Sequence, residues 1–252
     1  MRRIDQYDML RLKRWNTPTI YNGWEAITKH SNTDKNCFNY EECRDFMPQM
    51  GVMVGRAVTV VIEPSNPAHK ADAFEKSRQY HEYIASVPGP KIVMVQDLDK
   101  PRTIGAFWGE INSTIHRSLG CVGSVIDGAI RDVDEMANVG FKALARRLCV
   151  GHANVCPIRW GCDVEVFGCT VSPGQLIHAD KHGFMAIPPE DEERLLDAAL
   201  FLDNNENQTF LRRIGNNNAA GMTKDEVLRA IHASKLDFNA AYAKKFKGDG
   251  EW

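Results

Sequence analysis

The segment Gly109-Glu110-Ile111-Asn112 and, further on, Val125-Ile126-Asp127-Gly128-Ala129-Ile130-Arg131-Asp132-Val133-Asp134-Glu135 decides how this chain is read. A glycine turn with an acid opens a helix over residues 109–118. A short apolar strand over 123–126 follows, and Asp127-Gly128 ends it. Arg131 and Asp132 then begin a helix over 132–139, before a strand over 142–146. This alternation predicts βαβ units around a mainly parallel sheet. Parallel sheets hold their ligands at strand-to-loop exits. The reading gathers several carboxylates, a guanidinium and two helix N-termini at the ends of neighbouring elements. Helix N-termini offer free N–H groups and a positive dipole end. Such a site suits a small carboxylate beside a divalent metal.

Outward from this centre the pattern holds on the N-terminal side. The β-branched run Val58-Thr59-Val60-Val61-Ile62 predicts a buried strand over 56–62, ended by Pro64 and Pro67. An amphipathic helix over 72–85, a Pro88-Gly89-Pro90 turn and a strand over 92–95 follow. Residues 1–30 read as helices, one over 5–15 and one over 19–29, with Thr17 capping and Pro18 at the first helical position. Residues 31–51 read as a long polar loop. After Pro157 the texture changes: Asp163-Val164-Glu165-Val166-Phe167 alternates with period two, and glycine and proline punctuate short strands up to Pro188-Pro189. A helix over 191–202 closes the domain. A linker over 215–221 leads to a tail helix over 223–246, with Thr223 and Glu226 in the capping-box pattern. The chain thus divides into N-terminal helices (1–30), a central α/β domain (31–205), and a linker with a C-terminal helix (206–252).

The bulk numbers exclude several classes. With 252 residues, 43% hydrophobic and 25% charged, the chain has an ordinary globular composition. A net charge of −2 and no basic stripe give nucleic-acid binding no electrostatic support. No 18-residue apolar run predicts a membrane span, and no apolar leader follows the basic N-terminus. Seven cysteines without C-x-x-C spacing read as free, buried thiols in a reducing cytoplasm.

Individual residues divide between structure and chemistry. Arg131 and Asp132 are adjacent and point apart, as i and i+1 on a helix do. In isolation the pair reads as a capped helix with a surface arginine. The strand exit just before it makes it a ligand site. Glu110 alone is a carboxylate at a helix N-terminus, worth less than about 1 kcal/mol. Gly109 allows close backbone approach, and the amides of Glu110, Ile111 and Asn112 could cradle an anion. His178 and His182 have the i, i+4 spacing of a metal pair on a helix, but Pro173-Gly174 and Gly183 argue for strand and turn. Trp108 reads as a packed wall beside Gly109.

Taken together, Gly109–Asn112 with Val125–Glu135, the stretch Val166-Phe167-Gly168-Cys169-Thr170-Val171-Ser172-Pro173-Gly174-Gln175-Leu176-Ile177-His178-Ala179-Asp180, and Thr17-Pro18-Thr19-Ile20-Tyr21-Asn22-Gly23 resemble three ordered motifs of one superfamily. It contains the regulator of ribonuclease activity A and the metal-dependent 4-hydroxy-4-methyl-2-oxoglutarate/4-carboxy-4-hydroxy-2-oxoadipate aldolases. The resemblance spans roughly residues 15–205. It implies a three-layer α/β/β swivelling-domain-like fold with extra N- and C-terminal helices. It also implies a class II pyruvate aldolase or oxaloacetate decarboxylase, assembled as homotrimers or hexamers. Asp132 would hold Mg²⁺ (or Mn²⁺), directly or through water. Arg131 would bind the carboxylate and enolate oxygens, and the amides from Gly109 to Asn112 the carboxylate. Glu110 departs from the family's usual Asp by one methylene. The aldolases also take an acid from a neighbouring subunit, which has no assigned counterpart here.

The expected activity is therefore cleavage of a carbon–carbon bond in a small 2-oxo acid through pyruvate enolate. The alternative is a non-catalytic protein-binding regulator. The tail helix, with Val227, Leu228, Ile231, Leu236, Phe238 and Tyr242, carries more apolar surface than one domain needs. It is expected to pack on a neighbouring subunit, placing a shallow active site at a subunit interface.

Overall fold

The computed structural model describes residues 3–31, 33, 36–215 and 219–246. The chain begins with α1 (Gln6–Arg11) and α2 (Thr17–Glu25), then enters the sheet through β1 (Arg44–Asp45) and β2 (Met53–Ile62). α3 (Ala73–Ser86), β3 (Lys91–Asp97), β4 (Ala106–Trp108), α4 (Glu110–Ser118), β5 (Cys121–Ile130), α5 (Val133–Asn138) and β6 (Lys142–Leu148) follow. Five short strands come next: β7 (Arg159–Trp160), β8 (Val164–Val166), β9 (Cys169–Val171), β10 (Leu176–Asp180) and β11 (Gly183–Ile187). The chain closes with α6 (Glu192–Glu206), a π turn, α7 (Arg212–Ile214) and α8 (Lys224–Lys245).

The main sheet runs β1-β6-β5-β3-β2-β10-β11, with β4 added to β5 and β7 to β2. Its centre, β6-β5-β3-β2, is parallel, and its flanks are antiparallel. Both faces are buried, which explains the near-continuous apolar runs. Period-two alternation assigns the faces. Ala57, Val61, Ile92, Met94 and Leu144 pack under the β8–β9 hairpin. Val58, Val60, Ile62, Val93 and Val95 face the layer holding Tyr80 and Ile84 of α3 and Met136 of α5. Each such apolar side chain, fully buried, contributes about 1.5–3 kcal/mol. The result is the expected three-layer α/β/β arrangement. A third cluster joins α1, α2 and α6 over β10 and β11 through Ile20, Trp24, Leu195 and Ala199.

Two local readings change. Asp127 and Gly128 do not end β5 but lie inside it, at a register shift between Ile126 and Ala129. Asp127 is fully buried and neutralised from two sides, by Arg146 at 2.5 Å and Lys100 at 3.1 Å. That pairing lets a charge sit mid-strand, where unpaired it would be excluded. At α2 the cap is Asn16, whose side chain accepts from Thr19 N at 2.9 Å; Thr17 is already helical. Thr17 instead donates its backbone N–H to Asp180 at 2.8 Å.

The tail helix has its predicted capping box, but its apolar side is used on its own chain. Phe238 and Ser234 are buried. Ser234 donates to Thr209 O, and Asn205 donates to Phe238 O. Leu228 and Leu236, 53% and 58% exposed, lie outside this contact. The short contacts that hold α8 come from its own domain, so it is not an arm built solely for a neighbour. Residues 216–218 of the predicted linker lie outside the described residues.

Candidate active site

β4 and β5 run parallel side by side, with Trp108 opposite Ile130. Their carboxyl ends therefore deliver Gly109 and Arg131 to one place, and Arg131 N donates to Trp108 O at 3.0 Å. α4 starts at Glu110 and α5 at Val133, so two helix N-termini meet there. The juxtaposition expected from sequence is present.

Asp132 organises the meeting point. It caps α5 with φ 53° and ψ 47°, a left-handed conformation that most side chains avoid. Its carboxylate makes no bond to its own helix. It turns across to α4 and accepts the Glu110 N–H on Oδ2 at 3.1 Å. The cap residue of α4 is Gly109, which has no side chain to do this. Asp132 thus caps the neighbouring helix, where the dipole favours a negative charge. Gly109 is extended (φ −162°), so its role is space: a Cβ there would lie 2.6 Å from Asp132 Oδ2.

This geometry revises one expectation. The Glu110 amide is engaged by Asp132, which withdraws it from the amides between Gly109 and Asn112 expected to hold an anion. The Arg131 guanidinium lies beside Asp132, Nε to Oδ2 at 3.6 Å, and its Nη1 donates to Val150 O at 3.3 Å. It remains 40% exposed, so its fork is available to a ligand. Asn112 is held by Nδ2 donating to Phe107 O at 2.9 Å. Glu110 is exposed, and its carboxylate bonds to no other described residue.

These residues form one end of a cavity of about 600 Å³. It has more walls than the sequence suggests. The remaining wall comes from α3 and α4, with Tyr80, His81, Ile115 and His116, and from the segment holding His152, Val155 and Pro157. Sequence reading missed these. The available signal was spacing: His116 lies one turn after Asn112, and Tyr80 one turn before Ile84 on the buried face of α3. Trp108 is fully buried, donating to Ser124 Oγ at 2.9 Å, and is a wall rather than a stacking platform. His178 is buried in β10 against Thr17 and Leu12 O, and His182 sits on the following turn bonded to Asp180. The two do not share a helix face.

The donor set bears on the metal. Among the described residues no three His, Cys, Asp or Glu side chains gather to hold an ion. That disfavours the all-protein ligand shell of structural zinc. Asp132, with its Oδ1 unbonded to described residues, and the exposed carboxylate of Glu110 offer one or two hard oxygen ligands. Mg²⁺ and Mn²⁺ accept such a set, keeping several waters.

A family model described as RraA-like: Aldolase/RraA matches residues 17–186. A Halalkalibacterium halodurans protein named "Putative 4-hydroxy-4-methyl-2-oxoglutarate aldolase" is 32% identical over 120 residues, 44% of this chain and 52% of that protein. Protein DlpA of Legionella pneumophila is 23% identical over 150 residues, 59% of this chain and 23% of that protein. The chain thus spans about a quarter to a half of the length of these relatives. Among solved structures, an uncharacterized Pseudomonas syringae protein superposes with a TM-score of 0.69 at 20% identity, covering 92% of this chain and 95% of that one. Streptomyces coelicolor RraAS2, described as an unusual member of the RNase ES inhibitor RraA protein family, gives 0.64 at 18% identity, covering 85% and 99%. These two likenesses show a shared fold.

Proposed function

The chain belongs to the RraA-like (Aldolase/RraA) family, and from its site we propose that it is a divalent-metal-dependent lyase of small 2-oxo acids. One observation carries the reading. Arg131, Asp132 and the first turn of α4 converge at the carboxyl ends of two parallel strands, opening onto a substrate-sized cavity.

Arg131 presents a planar fork to the substrate carboxylate and the adjacent 2-oxo oxygen, oriented by its bond to Val150 O. The Ile111 and Asn112 amides add donors to the carboxylate. Bound through Asp132 and water, Mg²⁺ or Mn²⁺ would supply Lewis-acid polarisation of the 2-oxo oxygen. Glu110, exposed and unpaired, accepts the proton of the 4-hydroxyl. The C3–C4 bond then breaks. Its electron pair passes to the pyruvyl fragment as the enolate, and C4 leaves as a carbonyl. Arg131 stabilises the enolate oxygen. C3 takes up a proton, the one Glu110 accepted returning directly or through water, which gives pyruvate and restores the Glu110 carboxylate. Oxaloacetate would reach the same enolate by losing CO₂.

The mouth also bears on assembly. Ile111 and Val150 flank it at 73% and 93% exposed. A second copy covering them would exclude water from the arginine and the acids, strengthening both. We propose a trimer, or a multiple of one, with sites at the subunit interfaces.

The test is pyruvate release from oxaloacetate and from 4-hydroxy-4-methyl-2-oxoglutarate, with Mg²⁺ and with excess chelator. Metal-dependent release supports the lyase. Activity surviving full chelation overturns the metal role. A folded chain inactive on every 2-oxo acid points to the family's regulatory branch.

A further inference from the structure

Part of the cavity wall is a short segment after β6, residues 149–155, held from several sides. Cys149 N donates to Ile130 O at 2.9 Å, Ala106 N to Gly151 O at 2.9 Å, and Asn154 N and Nδ2 both to Pro64 O at 3.1 Å. Gly105, buried just before β4, lets the segment press against the strand. A Cβ there would lie 2.7 Å from His152 O and 2.7 Å from Pro64 Cβ. Within this fixed run Ala153 takes φ 47°, a left-handed conformation that is costly for alanine. Such strain persists where the surroundings over-determine it, and it clusters at ligand sites. The same segment orients Arg131, whose Nη1 lies 3.3 Å from Val150 O.

His152 is the titratable side chain that this segment brings to the cavity. It is exposed and lines the cavity. Its Nδ1 lies 3.0 Å from Ala153 O, and a carbonyl can only accept, so Nδ1 carries a proton. Nε2 of the neutral ring is then an acceptor, with no hydrogen-bond partner among the described residues. On protonation it becomes a donor. The other lining groups offer no spare positive charge. Arg131 is the one guanidinium or ammonium side chain among them, and it belongs to the pyruvyl carboxylate. Burial keeps His116 neutral, with its pKa down to about 3, and lowers His81. Burial pushes Tyr80 and Cys156 up, and both ionise to anions. Glu110 and Asp132 are carboxylates. A second substrate carboxylate would therefore meet two acids and no free cation, unless His152 gains a proton as it arrives.

The dimensions suit such a ligand. Three residues of β4 separate Ala106, where the segment is seated, from Gly109 at the mouth, about 10 Å at ~3.3 Å each. The four carbon–carbon bonds of a five-carbon diacid cover less than about 6 Å at ~1.5 Å each, which leaves a few ångströms for the two side chains to bridge.

We propose that His152 is a specificity-determining residue: it takes up a proton from solvent and donates from Nε2 to the distal carboxylate of a dicarboxylic 2-oxo acid whose first carboxylate Arg131 holds. The proposal rests on the oxo-acid reading of the mouth. It adds the residue that tells a diacid from a monoacid of the same length.

The test is titration calorimetry in Mg²⁺ at pH 7.5, run in two buffers of different ionisation enthalpy so that proton uptake is read beside affinity. The ligands are 2-oxoglutarate and 2-oxopentanoate, equal in length and lacking the 4-hydroxyl that retro-aldol cleavage needs, with pyruvate as the short reference. The unaltered chain should bind 2-oxoglutarate at least about tenfold more tightly than 2-oxopentanoate, the scale of one hydrogen bond to a charged group. It should take up protons with 2-oxoglutarate alone. His152→Gln keeps a hydrogen-bonding side chain that cannot gain charge, and it should lose both the preference and the uptake. Equal affinity for the two five-carbon acids, or tighter binding of 2-oxoglutarate without proton uptake, overturns the role of His152 and leaves the mouth intact. Preference and uptake that persist in His152→Gln do the same, and assign the distal carboxylate to another group such as His81. Failure of all three acids to bind overturns the oxo-acid reading itself, and the role of His152 with it. The ligand series on the unaltered chain decides the matter even if the variant does not fold.

Discussion

Replacing Gly109 with alanine tests whether the site is held together by the contact between Asp132 and α4. The new Cβ would lie 2.6 Å from Asp132 Oδ2, 3.3 Å from Arg131 Nε and 3.4 Å from Arg131 Cγ. Ordinary contact begins near 3.4 Å, so the carboxylate must retreat by about 0.8 Å. The backbone offers no other objection, because Gly109 is extended at φ −162° and alanine adopts that conformation freely. The retreat stretches the Glu110 N to Asp132 Oδ2 bond beyond its 3.1 Å. A hydrogen bond to a charged group is worth about 1.5–3 kcal/mol. With the Asp132 side chain 35% exposed, water replaces much of it, leaving a net loss of about 1 kcal/mol. For a chain of this size that lowers Tm by about 2–4 °C. Catalysis is far less tolerant, since a displacement of about 1 Å can cost about 100-fold. Gly109→Ala should therefore melt within a few degrees of the parent, bind Mn²⁺ more weakly by electron paramagnetic resonance, and lose about 100-fold in kcat/KM. Parental Mn²⁺ affinity and turnover in this variant would refute the idea that Asp132 must sit against α4. So would a collapse of stability by more than about 4 kcal/mol.

Asp132→Ala should abolish Mg²⁺-dependent pyruvate release while circular dichroism shows an intact fold. Arg131→Lys should lower kcat/KM by at least about 100-fold, the scale of one preorganised charge stabiliser; a change of only a few-fold would make Arg131 structural. Light scattering should give a mass of at least three chains, and a fully active monomer would exclude the interface site. Burial pushes Asp97 up to about 7, so the folded chain binds more protons than the unfolded one and stability falls as pH rises from about 4 through 7. Asp97→Asn, which keeps the acceptor for Asp99 N, should raise Tm at pH 8 and leave it nearly unchanged at pH 4. Burial lowers His178 to about 4, so its effect has the opposite sign: stability falls as pH drops from 6.5 towards 4, by up to about 3 kcal/mol, read as a shift in the urea midpoint.

The difference between what the chain declares and what it conceals follows from the range of the interactions. Strands of the central sheet are buried on both faces, so β2, β3 and β5 announce themselves as β-branched runs. The two helix starts at Glu110 and Val133 are equally local, and they placed Arg131, Asp132 and Gly109 together before any pairing was known. Tertiary partners decided the rest. Asp127-Gly128 has the local signature of a turn, and by propensity it should end a strand. It continues one because Arg146 and Lys100 reach Asp127 from 19 and 27 residues away and Phe167 N donates to it at 3.1 Å. Gly128 meanwhile fits where a Cβ would approach Asp97 to within 3.0 Å. The same holds on the helical face. Tyr80 and His116 lie 36 positions apart in sequence, each unremarkable on its own helix, and only packing of α3 beside α4 brings their rings together. The charged mouth of the cavity was legible because its residues are neighbours in the chain. Its far wall was not, because those residues meet only where α3 packs beside α4.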